Sequence, residues 1–133
     1  MKILIAENAG FCFGVKRAID IAKKTLAEDA GEVWLIGEIV HNKIVVNELQ
    51  QMGLKMASSI AEVPDGSTII FKAHGSPPEA YAEAGAKKLN VIDATCPMVS
   101  DIHRKARELE KKRYQVIVFG DKEHEEVVGI CGY

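Results

Sequence analysis

No apolar run in the 133-residue sequence approaches the roughly 20 residues that a membrane-spanning helix needs. The N-terminus Met1-Lys2-Ile3-Leu4-Ile5 passes quickly into the polar loop Glu7-Asn8-Ala9-Gly10 instead of extending into a signal peptide. A cytoplasmic protein with no membrane partner is expected. Charge of one sign is not in excess either: the formal net charge is -2 and the isoelectric point about 6.1. Lys and Arg are scattered or gathered on one helix and form no basic stripe interleaved with aromatics, so nucleic acid is not an expected partner. Cysteine is scarce, and Cys12, Cys96 and Cys131 are an odd number at wide spacing, which suits a reducing compartment better than a disulfide framework. They include no C-x-x-C pair of the kind found in structural zinc sites and thioredoxin-like motifs. A Gly-x-Gly-x-x-Gly fingerprint is also missing, which argues against a nicotinamide or flavin held by a Rossmann turn. Nothing repeats at a fixed short period.

What is present is the composition of an ordinary soluble domain, 47% apolar and 27% charged. The apolar run 2–6 predicts a strand, and Val15, Ala18, Ile19, Ala22 and Leu26 recur at helical spacing after it. Residues 32–36 predict a second strand, followed by a helix carrying Ile44, Val45, Leu49 and Met52 that Gly53 closes. Strand 68–71 leads to a helix opened by Pro77 and Pro78, since proline is tolerated in a first turn. Strand 90–93 precedes a helix with Val99, Ile102, Ala106 and Leu109 on one stripe, strand 115–119 follows, and a last helix starts near Glu123. Continuous apolar strands alternating with amphipathic helices predict an α/β fold, a parallel sheet with helices on both faces. The cluster Lys111-Lys112-Arg113 reads as a solvated helix end favoured by the macrodipole.

In open α/β sheets ligands bind beyond the carboxyl ends of the strands. The residues after the five predicted strands include Cys12, His41, His74, Cys96 and His124 in that order, so every such loop carries a cysteine or a histidine. The fourth histidine, His103, falls inside a helix beside the apolar stripe and reads as structural or solvent-facing. Cys12 lies between Gly10 and Gly14 at a strand-to-helix turn, and Cys96 precedes Pro97 at another helix start, where anionic sulfur is favoured. Two thiolates from distant loops fit a cluster assembled in the fold, with a further ligand still to be supplied. The histidines could ligate a metal or donate hydrogen bonds to a phosphorylated substrate. Asn42, Ser76 and the helix starts after His41 and His74 add donors that favour an anion. In the acidic run Glu123-His124-Glu125-Glu126 a desolvated carboxyl could donate a proton, but periodicity does not select which glutamate faces inward.

Taken as a set, Gly10-Phe11-Cys12-Phe13-Gly14-Val15, Val40-His41-Asn42, Ala73-His74-Gly75, Asp93-Ala94-Thr95-Cys96-Pro97 and His124-Glu125-Glu126-Val127 resemble the successive signatures of the LytB-type reductases. The resemblance runs through the whole chain. It implies the N-terminal part of a three-unit α/β assembly, with 1–96 as the first unit and 97–133 as the start of a second. It implies a [4Fe-4S] cluster held by three cysteines, two of them Cys12 and Cys96, with one iron open to the substrate hydroxyl. His41, His74 and His124 would hold the allylic diphosphate substrate, and Glu126 would deliver the proton that lets the hydroxyl leave as water.

The implied reaction reduces 4-hydroxy-3-methylbut-2-enyl diphosphate to isopentenyl and dimethylallyl diphosphate, with ferredoxin or flavodoxin as electron donor. Two features depart from the family pattern. The third cluster cysteine and the later diphosphate ligands are absent, so this segment alone is not expected to turn over substrate, and Cys131, which follows an apolar stretch, reads as core packing. Glu125 stands where the family often has proline. The competing readings are a metal-dependent hydrolase and a phosphate-binding module.

Overall fold

The computed structural model describes residues 1–7 and 9–133, so the Asn8 of the expected polar loop lies outside the described residues. The elements follow one another as α1 (Phe13–Glu28), β1 (Val33–Ile36), α2 (Lys43–Gln51), β2 (Lys55–Ala57), a 3-10 turn (Ile60–Glu62), β3 (Thr68–Phe71), α3 (Pro78–Ala86), β4 (Asn90–Asp93), α4 (Pro97–Lys111) and α5 (Glu125–Cys131). The four strands form one parallel sheet in the order β2-β1-β3-β4. Alternation along β1 divides its side chains between two cores. Val33 and Leu35 pack with Ile70, Ala18, Ala22 and Leu49 against α1 and α2, while Trp34 and Ile36 join Ile69, Phe71, Ala84 and Tyr81 against α3. The expected α/β class with both faces of the sheet covered is what forms.

This arrangement makes the topology informative. The chain leaves β1 through α2 on one face to reach β2, and leaves β3 through α3 on the other face to reach β4. Two neighbouring parallel strands whose connections depart in opposite directions open a crevice between them at their carboxyl ends. The loops carrying His41 and His74 leave from those ends.

Four of the sequence expectations need correction. Residues 2–6 form no strand and leave Ile3, Leu4 and Ile5 exposed, and residues 115–119 likewise form no strand, with Ile117 and Phe119 in solvent. Both segments have strand-like composition, but a strand exists only where a neighbour takes up its backbone donors and acceptors, and neither pairs here. The strand absent from the expectation is β2, three residues long and begun by an exposed lysine, too short and polar to register as an apolar run. Cys131 is exposed and does not pack in the core. On α4 the inward residues are Val99, His103 and Ala106, with Ile102 and Leu109 turned outward, so His103 is the structural member of the stripe.

His103 is 5% exposed and holds α4 and α5 to the loop after β3. Its ring stacks on Tyr133 at 4.6 Å between centroids. It also occupies the space where a Cβ on Gly75 would stand, 2.5 Å from its Cε1, and lies as close as 3.2 Å to the corresponding point on Gly129. Gly75 further adopts a positive φ of 80° that a side chain resists. Gly75→Ala should therefore combine backbone strain with a steric clash and destabilise the fold by about 2–4 kcal/mol, measured as a fall in the urea midpoint at unchanged slope.

Candidate functional site

Cys12 and Cys96 are the N-cap residues of α1 and α4, and neither uses its side chain to cap the helix. The two helix starts meet directly. A Cβ on Gly14 would lie 2.6 Å from the Cys96 sulfur, so that sulfur rests on bare backbone two residues beyond Cys12. The Arg17 guanidinium donates to the Thr95 carbonyl at 3.0 Å, tying α1 to the loop before Cys96. That loop is fixed from its other side by Asp93, which accepts from the Thr95 amide at 2.8 Å and from the Tyr81 hydroxyl at 2.8 Å. The Cys96 amide donates to the Ala73 carbonyl at 2.9 Å, placing the thiol next to the turn that bears His74. All three cysteines are free thiols.

The three rim histidines come together around His74. His41 and His74 have ring centroids 5.5 Å apart, and His74 and His124 are 6.3 Å apart. His41 is exposed at the mouth and His74 is largely buried in the middle. His124 caps α5, its Nδ1 accepting the Glu126 amide at 3.3 Å. Glu126 is partly buried at the second position of α5.

Of the anion donors expected from the sequence, the Asn42 side chain is engaged and the start of the helix after His74 is short of N–H groups. The Asn42 side chain accepts from the amides of Ile44 and Val45 at 3.1 and 3.3 Å, so it caps α2 instead of facing a ligand. Helix α3 opens on Pro77 and Pro78, which have no N–H to offer, and the Ser76 carbonyl accepts from the Tyr133 hydroxyl at 3.5 Å. The three histidines remain as donors on this rim.

Sequence reading missed an ion pair at the centre of this arrangement. Lys72, one residue beyond β3, binds the Glu125 carboxylate through Oε1, and Oε2 of the same carboxylate stands 3.2 Å from His74 Nδ1. Both groups press on Gly37 just after β1, where a Cβ would lie 3.1 Å from Lys72 Nζ and 3.7 Å from Glu125 Oε1. The pair also lines a largely apolar cavity of 220 Å³ with Ile36, Ile60, Phe71 and Val128. Burial pushes the Glu125 carboxyl up, but the Lys72 hydrogen bond and the positive charges around it prevail and hold it below the ordinary carboxylate value. Burial pulls His74 below the ordinary imidazole value, and Glu125 and Glu126 restore only part of that shift. The one sequence signal for the pair is a lysine placed where an apolar strand runs into the rim.

Ligand atoms of His41, His74 and Glu125 also lie within 4.8 Å of one another, a spacing on which a divalent cation could be considered. The Lys72 ammonium on the same carboxylate opposes a second cation there.

The LytB protein family model matches residues 3–133. A 4-hydroxy-3-methylbut-2-enyl diphosphate reductase of Aquifex aeolicus is 45% identical over 131 residues, covering 98% of this chain and 45% of the relative. The enzyme of the same description from Alkaliphilus oremlandii is 40% identical over 134 residues, covering 100% of this chain and 48% of its own. The solved reductase of Plasmodium falciparum superposes with a TM-score of 0.91 at 37% identity, covering 95% of this chain and 40% of that one. A second solved structure, described as the terminal enzyme of the non-mevalonate pathway, gives 0.85 at 45% identity, with 98% and 46% covered. The chain spans about half the length of the curated relatives it matches, or less.

His74 and His103 both sit below the ordinary value of 6.5, in each case chiefly through burial. The unfolded chain then binds more protons than the folded chain as pH falls through 6.5, so stability is complete above that value and is lost on acidification. Urea unfolding at pH 7.5 and 5.5 should show the loss, and His103→Gln should make the pH dependence shallower.

Proposed function

Because the chain belongs to the LytB family, we propose that it forms part of the active site of a reductase acting on 4-hydroxy-3-methylbut-2-enyl diphosphate. The observation that carries this reading is the grouping of His41, His74 and His124 beside two cysteine-capped helix starts. Residues 1–96 are then the first α/β unit and 97–133 the beginning of a second.

The donor set suits an iron-sulfur cluster. Two free thiols converge at positive helix ends, one of them seated on a glycine that leaves room for its sulfur. Cys12 and Cys96 would hold the cluster with one further cysteine, which is not Cys131, at the far end of α5. When bound, the cluster supplies electrons and an open Lewis-acidic iron for the substrate hydroxyl. The electrons come from a reduced ferredoxin or flavodoxin.

The chain's own residues do the rest. The histidines grip the diphosphate by charge-assisted hydrogen bonds. Asp93 and Arg17 keep the Cys96 loop fixed, so the cysteine and histidine loops hold their spacing. Glu126, on the short helix that His124 caps, is the residue that relays a proton to the departing hydroxyl so that water is the leaving group.

Expressed at the length of its relatives and purified without oxygen, the protein should be brown and contain iron with inorganic sulfide. Cys12→Ser and Cys96→Ser should each abolish the cluster, whereas a colourless protein with stoichiometric zinc would favour a hydrolase instead. Glu126→Gln should lower turnover by about 10²- to 10⁴-fold with the cluster spectrum intact, and near-normal turnover would remove Glu126 from the proton-donor role.

A further inference from the structure

His74 Nδ1 and Glu125 Oε2 are both buried, stand 3.2 Å apart, and have no other hydrogen-bond partner among the described residues. Two lone pairs cannot face each other in a buried site without a large cost, so a proton belongs between them. The carboxylate already accepts from Lys72 through its other oxygen, which keeps it ionised and leaves the imidazole as the proton's holder.

His124 is wired the opposite way. Its Nδ1 accepts a backbone N–H, so the neutral ring carries its proton on Nε2 and can donate outward as it stands. We propose that Glu125, anchored by Lys72, is a positioning residue that holds the proton of neutral His74 on Nδ1, leaving Nε2 without a donor. An anion at His74 Nε2 is then bound only with uptake of a second proton, and the resulting imidazolium is held between the anion and Glu125.

The groups facing His74 are consistent with this balance. Glu125 and Glu126 favour the imidazolium, Lys72 and His41 oppose it, and burial keeps the free ring neutral. A diphosphate adds the negative charge that tips the sum. The inference rests on the reading of the rim as a diphosphate site, but the position of the proton in the free protein does not.

The test is nitrogen-detected NMR of the histidine rings in the free chain and with inorganic pyrophosphate. Free wild-type His74 should be protonated on Nδ1 and His124 on Nε2. Glu125→Pro should move the His74 proton to Nε2. Proline is accepted at the first position of a helix, and the preceding His124 is already extended at φ -67° and ψ 131°. Glu125→Ala should produce the same switch if the proline disturbs α5. Pyrophosphate should convert wild-type His74 to the doubly protonated ring, and this response should be lost in the Glu125 variants. A wild-type His74 protonated on Nε2, or one tautomer shared by the wild type and both variants, overturns the proposal. In protein expressed at the length of its relatives, rings indifferent to pyrophosphate while the tautomer switch is seen would instead overturn the diphosphate reading and leave the role of Glu125 intact.

Discussion

The pairing of β1 with β3 is the constraint on which the rest depends. β3 is buried on both faces and β1 on one face and partly on the other, and their side chains enter both cores. Because the chain departs from them in opposite directions, their carboxyl ends are the one place where the sheet must open. Gly37 and the His41 loop leave one strand there, Lys72 and His74 leave the other, and the remaining site residues are brought to that crevice by α1, α4 and α5. A change that altered the register of this pair would move every one of them together.

The sequence made much of this legible where a residue's role is local. Strands β3 and β4 begin and end where the apolar runs do, the helix starts fall at their capping residues and prolines, and cysteines and histidines at strand ends pointed to a common rim. Strand formation at 2–6 and 115–119 is not local, since the same apolar alternation pairs or stays exposed according to what lies beside it. The Lys72–Glu125 pair was hidden for a similar reason. Its partners lie 53 residues apart, and the acidic run from Glu123 to Glu126 gives no periodic cue to the member that turns inward. The resemblance to LytB-type reductases directed attention to Glu126, and the geometry adds that its neighbour makes the ion pair.

Glycine recurs at several of the close contacts around the rim. Gly37 underlies the ion pair, Gly75 and Gly129 receive His103, and Gly14 receives the Cys96 sulfur. The rim is thus packed backbone against side chain, without intervening carbon. That brings donors from separate elements within a few ångströms while leaving each free to face the ligand.

Gly14 shows what this closeness implies for the balance between durability and chemistry. It stands in the first turn of a sixteen-residue helix, where alanine would favour helix formation by up to about 1 kcal/mol. A version of this chain selected only for resistance to heat would drift toward alanine at that position. In doing so it would push the Cys96 sulfur out of its seat, so the residue is one at which improving the scaffold and keeping the site are opposed.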